Sequence, residues 1–250
     1  MIVKLKEQGA RIIIIDAITE DDLELIANAV VDSKVKFVAV DPGVFTGVVC
    51  KILIPPSKQE YRGKILVAVG SVNGVAASQV FNFLKNHRPH NVYIDAEAFV
   101  RSESSRYAEI NRVVHEALEC TGHQVISAVG SGVFPQNRFD FGKYEKALNL
   151  GIEGISNILN DSIAEVAYQI LLKDCSFKGL YTSGGDISVS VCKRLGAYGM
   201  KLQSEVQPLA SFGEIWGGEF QGMKYITKGG MVGDENALNV CIDYLKGAVN

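Results

Sequence analysis

Five times along this chain, a short run of β-branched and apolar residues is followed by a stretch of helical period. Residues 11–16 (RIIIID) precede 18–33 (ITEDDLELIANAVVDS), 36–41 (KFVAVD) precede 42–53 (PGVFTGVVCKIL), and 64–71 (KILVAVGS) precede 72–87 (VNGVAASQVFNFLKNH). Residues 91–96 (NVYIDA) then precede 102–122 (SESSRYAEINRVVHEALECTG), and 124–131 (QVISAVGS) precede a helical stretch from about Lys143 to Lys173. Continuously apolar strands are buried on both faces, and the helices between them are the cover. The alternation therefore predicts an α/β fold, a mostly parallel sheet with helices on both faces in Rossmann-like layers. Toward the C-terminus the pattern predicts a strand at about 200–206, a Pro/Gly-rich excursion, a strand at 223–227, a Gly-rich turn and a final helix capped by Asp234.

The stretch IPPSKQEYRGK at 54–64 breaks this rhythm with two prolines, several charges and a glycine. Proline removes a backbone donor and biases its predecessor away from helix, so a boundary is expected near 55–62. It divides the chain into residues 1–55 and 60–250. The first part holds two strand–helix units, fewer than an independent α/β domain needs to bury its apolar surface. Its uncovered strand edges and helix faces are expected to pair, which predicts self-association.

The 250 residues are 47% hydrophobic and 21% charged, with a formal net charge of −3. No dense Lys/Arg block interleaved with aromatics occurs, so no nucleic-acid partner is expected. No segment approaches the roughly 20 apolar residues of a membrane span, and no signal-peptide core opens the chain, so a cytoplasmic protein is expected. Cys50, Cys120, Cys175, Cys192 and Cys241 lie far apart, with no CxxC and no histidine at metal-ligand spacing. They read as free, mostly buried thiols of a reducing compartment. The four histidines, His87, His90, His115 and His123, have no evident serine or cysteine partner, and His115 reads as a structural residue of a helix. The phosphate-binding pattern GxxxxGK[ST] is absent, since Gly63-Lys64 and Gly142-Lys143 are followed by Ile65 and Tyr144. Neither GxGxxG nor GxSxG occurs, which leaves little for a dinucleotide-dependent enzyme or a serine hydrolase.

The Gly-rich turns carry the chemistry. GLYTSGGDIS at 179–188 runs off an apolar strand into Ser183, Gly184, Gly185 and Asp186 at the start of a helix. Glycines there admit a ligand close to the backbone, and the helix N-terminus offers unpaired N–H donors and a partial positive charge, a setting that suits phosphate. The plain alternative is a tight turn with Asp186 as helix N-cap. Similar small-residue turns follow other strands, at Gly70-Ser71, at Gly130-Ser131-Gly132 and at Lys228-Gly229-Gly230. Loops at the carboxyl ends of parallel strands line one edge of a sheet, where ligands bind. The loops at 102–106 and 134–138 read as plain connections.

The order GS at 70–71, TSGGD at 182–186, SEVQP at 204–208, WGGEFQGMKYITKGG at 216–230 and VGDENAL at 232–238 resembles the four-carbon acid sugar kinase family, first catalogued as DUF1537. The resemblance covers 60–250 as that family's C-terminal nucleotide-binding domain, and residues 1–52 resemble the last part of its N-terminal, substrate-binding domain. It implies ATP-dependent phosphorylation of an acid sugar such as threonate, erythronate or 3-oxo-tetronate. It also implies that Gly70, Ser71, Ser183, the Gly184-Gly185-Asp186 loop and the Lys228-Gly229-Gly230 turn hold ATP. Asp186 is then expected either to hold Mg²⁺ or to position the acceptor hydroxyl. Relatives carry GGDT where this chain has Gly184-Gly185-Asp186-Ile187, with the Ser188 hydroxyl one residue later, and GNFG or GGFG where it has Gly229-Gly230-Met231-Val232-Gly233. The DDxTG motif of the family's substrate domain does not occur here. The expectation is a truncated form, incomplete for catalysis alone, acting with a separately encoded N-terminal half or as a homo-oligomer. A non-catalytic nucleotide- or anion-binding regulatory module of the same fold is the alternative.

Overall fold

A computed structural model describes residues 1–41, 43–53, 63–70, 74–120, 122–130 and 139–249. They separate into two compact units, Met1–Gln59 and Glu60–Asn250.

The first unit is built from helices α1 (Ile2–Glu7), α2 (Glu20–Asp32) and α3 (Val44–Leu53). α2 starts at a capping box. The Thr19 hydroxyl accepts from the Asp22 N–H at 3.2 Å, and the Asp22 carboxylate accepts from the Thr19 N–H at 2.9 Å. Before α3, the Asp41 carboxylate accepts from the N–H groups of Gly43, Phe45 and Thr46 and from the Thr46 hydroxyl, which holds the Asp41 carboxyl below the usual range. α2 and α3 pack on each other, with Ala27 and Val49 buried. The strands expected at 11–16 and 36–41 do not form. Both stretches lack strand pairing, and Ile12, Ile14, Val38 and Val40 are each more than 80% exposed. A strand needs a neighbour for its N–H and C=O groups, and no described residue of this unit provides one.

The second unit carries one seven-stranded sheet. Its elements run β1 (Lys64–Val69), α4 (Gly74–His87), β2 (His90–Ile94), α5 (Ala96–Arg101), α6 (Glu103–Leu118), β3 (Val125–Gly130), α7 (Phe141–Leu148) and α8 (Ile152–Lys173). They continue with β4 (Phe177–Ser183), α9 (Gly185–Arg194), β5 (Gly199–Gln207), β6 (Ala210–Trp216), β7 (Lys224–Lys228) and α10 (Ala237–Ala248). The strand order is β2-β3-β1-β4-β7-β6-β5. The first five of these are mutually parallel, and β6 is antiparallel to both β7 and β5.

Period-two alternation along β1 divides its apolar residues between two cores. Ile65, Val67 and Val69 face Val80 and Phe83 of α4 and Leu238, Ile242 and Leu245 of α10. Leu66 and Ala68 face the opposite core, with Val113 of α6, Ala167 of α8 and Ile187 and Val191 of α9. The doubly covered, mostly parallel sheet matches the expected fold class.

Several local expectations change. The helical stretch read from Lys143 to Lys173 is two helices, because Asn149 adopts φ 52° and closes α7 before α8 begins. The excursion after residue 207 contains β6, which pairs with β5 and β7 and makes that edge antiparallel. α10 has Asn236 as its N-cap, while Asp234, two residues earlier, accepts from the Asn236 N–H at 2.9 Å. Only Cys120 and Cys241 of the five free thiols are buried, with Cys50 and Cys175 exposed. Among the described residues no helix is long and apolar enough to cross a membrane.

Candidate functional site

β1, β4 and β7 are adjacent and end level, with Val69 paired to Ser183 and Ser183 paired to Lys228. Their following turns, at Gly70, Gly184-Gly185 and Gly229-Gly230, therefore stand side by side on the carboxyl edge. The helix after β1, α4, packs on one face of the sheet, and the helix after β4, α9, packs on the other. Neighbouring strands whose helices leave to opposite faces open a crevice between them, the topological switch point of doubly wound sheets.

At this edge Gly70 and Gly184 each have a physical reason to be glycine. A Cβ on Gly70 would stand 2.8 Å from Ile163 Cδ1 and 3.1 Å from Ile187 Cδ1. Gly184 adopts φ 115°, a conformation open essentially only to glycine, and its N–H donates to the Lys228 carbonyl at 2.9 Å. Gly184 is the N-cap of α9, and no side chain caps the helix. The first-turn N–H groups of α9 therefore have no side-chain acceptor, at the positive end of a ten-residue helix. Asp186 lies in that first turn, exposed, and is not the N-cap.

Beneath the turn lies a chain of buried hydroxyls. Thr182 Oγ1 is 2.7 Å from Tyr225 Oη and 2.8 Å from Ser188 Oγ, and Ser188 Oγ donates to the Gly184 carbonyl at 2.7 Å and lies 2.7 Å from Thr227 Oγ1. Burial raises the Tyr225 phenol, which stays protonated and able to donate. Ser188 thus fixes the turn from below rather than presenting its hydroxyl to the crevice. Ser183 is buried as well, as the last residue of β4.

Lys228 is 1% exposed. Its Nζ donates to the carbonyls of Gly229 at 2.6 Å and Val232 at 2.8 Å, and burial lowers its pKa. Gln79 of α4 reaches the same loop, its Nε2 lying 2.9 Å from the Val232 carbonyl, 3.2 Å from Gly233 and 2.9 Å from Asp234. Asn82, one turn further along α4, donates to the Glu235 carbonyl at 3.2 Å. Four consecutive carbonyls of the loop after β7 are thereby held by side chains from α4 and β7.

The fold brings together Gly70, Gly184, Gly185, Asp186, Lys228, Gly229 and Gly230. Ser71, and the Ser131-Gly132 part of the turn after β3, lie outside the described residues, as does the 134–138 loop. Gln79 and Asn82 were missed by the sequence reading. The signal was available for Gln79, since it shares the apolar face of α4 with Ala76, Val80 and Phe83 and is 2% exposed. A polar residue on a core stripe needs a buried partner.

One further constellation is a correction. No histidine stood at metal-ligand spacing in the linear reading, yet His90, Cys120 and His123 come together at the opposite, amino-terminal edge of the sheet.

A doubly wound sheet with an uncapped helix N-terminus and glycine-formed turns at its switch point is an architecture of the class suited to an anionic ligand at the carboxyl edge. The chain belongs to the DUF1537 family, matching over residues 66–238 the family described as a nucleotide-binding C-terminal domain. It is similar to a D-erythronate kinase from Heliobacterium modesticaldum, with 35% identity over 242 residues, 96% of this chain and 55% of the relative. It is also similar to a D-threonate kinase from Salmonella typhimurium, with 27% identity over 96% of this chain and 55% of that protein. The chain thus spans about half the length of the curated relatives it matches.

Solved structures show the same fold. A DUF1537 protein from Bordetella bronchiseptica, crystallised with citrate as a domain-swapped dimer, aligns with a TM-score of 0.65 at 18% identity, over 98% of this chain and 56% of that one. A DUF1537 protein from Haemophilus influenzae aligns at 0.57 and 20% identity, over 96% and 55% respectively.

Proposed function

We propose that the Glu60–Asn250 unit binds ATP across the turns after β1, β4 and β7, and that it serves a kinase acting on a four-carbon acid sugar. The observation that carries this reading is the convergence of Gly70, Gly184–Asp186 and Lys228–Gly230 at the switch point. The names of the two curated relatives supply the reaction class.

In this reading the first-turn N–H groups of α9 receive phosphate oxygens, and the positive φ at Gly184 aims them. Lys228 and Gln79 draw the loop carbonyls inward, removing acceptor dipoles from the face a phosphate approaches. The buried ammonium of Lys228 adds positive potential through a poorly screened interior. The Ser71 hydroxyl, next to Gly70 in the sequence after β1, adds a donor to the nucleotide.

Asp186 is an exposed carboxylate of this edge, an oxygen donor of the kind Mg²⁺ takes, and the ion would neutralise phosphate charge during transfer. The same carboxylate suits a base for the acceptor hydroxyl. Asp186→Asn separates the roles. A metal ligand shows as a raised Mg²⁺ requirement, and a base as a fall in kcat with nucleotide affinity retained.

The Met1–Gln59 unit is assigned to the substrate side. The exposed apolar runs at 11–16 and 36–41 and the domain-swapped dimer of the Bordetella relative support self-association of this chain. The test is calorimetric titration of the protein with Mg-ATP, alongside a coupled assay offering D-erythronate and D-threonate. The expected result is Mg-ATP binding that Gly184→Ala weakens, whether or not this chain alone turns over either acid. Turnover of either acid by this chain would exclude the non-catalytic regulatory module, and absence of binding at millimolar nucleotide would overturn the site.

A further inference from the structure

The amino-terminal edge of the sheet gathers three ligand-type side chains from separate elements. His90 opens β2, Cys120 follows the C-cap of α6, and His123 lies two residues before β3. One ligand atom from each lies within 4.8 Å of the others, and Cys120 Sγ is 3.4 Å from His123 Nδ1. We infer that His90, Cys120 and His123 form a binding site for a zinc-class divalent ion, distinct from the nucleotide edge and independent of the proposed kinase function.

Three features favour a metal over a chance cluster. The donor set is one sulfur and two imidazole nitrogens, which suits zinc and its borderline-soft neighbours and does not suit Mg²⁺ or Ca²⁺. His90 is already oriented, its Nε2 lying 3.2 Å from the carbonyl of Glu116. With Nε2 protonated toward that carbonyl the ring keeps its lone pair on Nδ1, the arrangement by which an outer hydrogen bond fixes a ligating tautomer. That carbonyl belongs to the last turn of α6, a sixteen-residue helix whose C-terminus points its negative end toward the cluster.

The cation acting on the Cys120 thiol, Lys64, is compensated by Asp174 at 2.8 Å. Cys120 is buried, His90 half-buried and His123 exposed, so the site has a protected sulfur and an open side for ion entry and a fourth ligand from solvent. Parallel strands place this cluster at the end of the sheet away from the Gly-rich turns. A bound ion would tie β2, α6 and β3 together, a structural staple rather than a catalytic centre.

The test uses the metal-free protein titrated with Co²⁺ as an optical probe, then displaced with Zn²⁺. The expected result is one ion per chain, with a sulfur-to-cobalt charge-transfer band that Cys120→Ser removes and Cys175→Ser, at an exposed thiol, leaves in place. His123→Ala, at an exposed position that does not endanger folding, is expected to weaken the affinity on the order of 100-fold. Zn²⁺ should raise the melting temperature of the parent and not of His123→Ala, with Mg-ATP affinity the same in both. A Kd for Zn²⁺ weaker than about 100 μM, or a charge-transfer band that survives Cys120→Ser, would overturn the site.

Discussion

The runs KILVAV at 64–69 and RIIIID at 11–16 are chemically alike, yet they meet different fates in the two units of this chain. The first becomes β1, paired on both sides and buried along almost its whole length. The second forms no strand, and its alternate isoleucines stand in the open. The units differ correspondingly in what holds them. The described side-chain hydrogen bonds of the first unit span at most five residues, as in the Thr19–Asp22 capping box and the Asp41 turn. In the second, Gln79 bonds to residues more than 150 positions away and Lys64 to Asp174. An apolar run specifies a buried strand only where other strands offer their backbone groups.

The largest test of that contrast is truncation of matched apolar side chains. Phe83→Ala removes a fully buried ring from beneath β1 and should cost about 3–5 kcal/mol in urea unfolding of the second unit. Ile12→Ala should stay within about 0.5 kcal/mol at a dilution that keeps the chain unassociated. Equal costs at the two positions would show that the run at 11–16 is covered in solution, as self-association requires.

Next is a titration confined to the second unit. Burial pushes the Cys241 thiol from an ordinary 9 up to about 11. Between those values the folded protein keeps a proton that the unfolded chain releases, so rising pH favours unfolding. The stability lost across pH 9 to 11 from this group is about 2–3 kcal/mol. Lys228, with a lowered pKa, works in the opposite direction. The difference between the stability–pH curves of the parent and Cys241→Ala isolates the thiol, and identical slopes would remove it as the cause.

A smaller effect comes from two glycines at the same backbone angle. Gly184 and Gly43 both adopt φ 115°. Gly184→Ala should cost about 1–3 kcal/mol and weaken Mg-ATP binding, because the turn supports both the sheet edge and α9. Gly43→Ala, with open space around its Cβ, should leave nucleotide affinity untouched. Loss of affinity in both variants would link the units functionally. The smallest effect is expected for Thr19→Ala. Losing the capping box should lower the stability of α2 by about 0.5–1 kcal/mol, read as reduced helicity by circular dichroism.

Much of the second unit was legible because its information is local. Continuous apolar runs, β-branched composition and glycine punctuation marked β1, β2, β3, β4 and β7. The antiparallel β6 was hidden by its glycine, which is required by a close pass. A Cβ on Gly213 would stand 2.3 Å from the Lys201 carbonyl. The break between α7 and α8 was hidden by a single left-handed Asn149, an angle that sequence permits without demanding. At the site, the glycines and Asp186 were readable as turn chemistry, whereas the grip of Gln79 and Asn82 on the loop after β7 joins residues far apart in the chain.

By itself the sequence determined the α/β class, the position of the Gly-rich turns and the family, since each rests on residue type at short spacing. Tertiary structure decided which apolar runs became strands, that Lys228 turns inward while Asp186 stays exposed, and that two histidines and a cysteine meet at the far edge. Those outcomes depend on strand order and on which face each helix covers. They are fixed by backbone pairing across the whole unit, which no short window of residues contains.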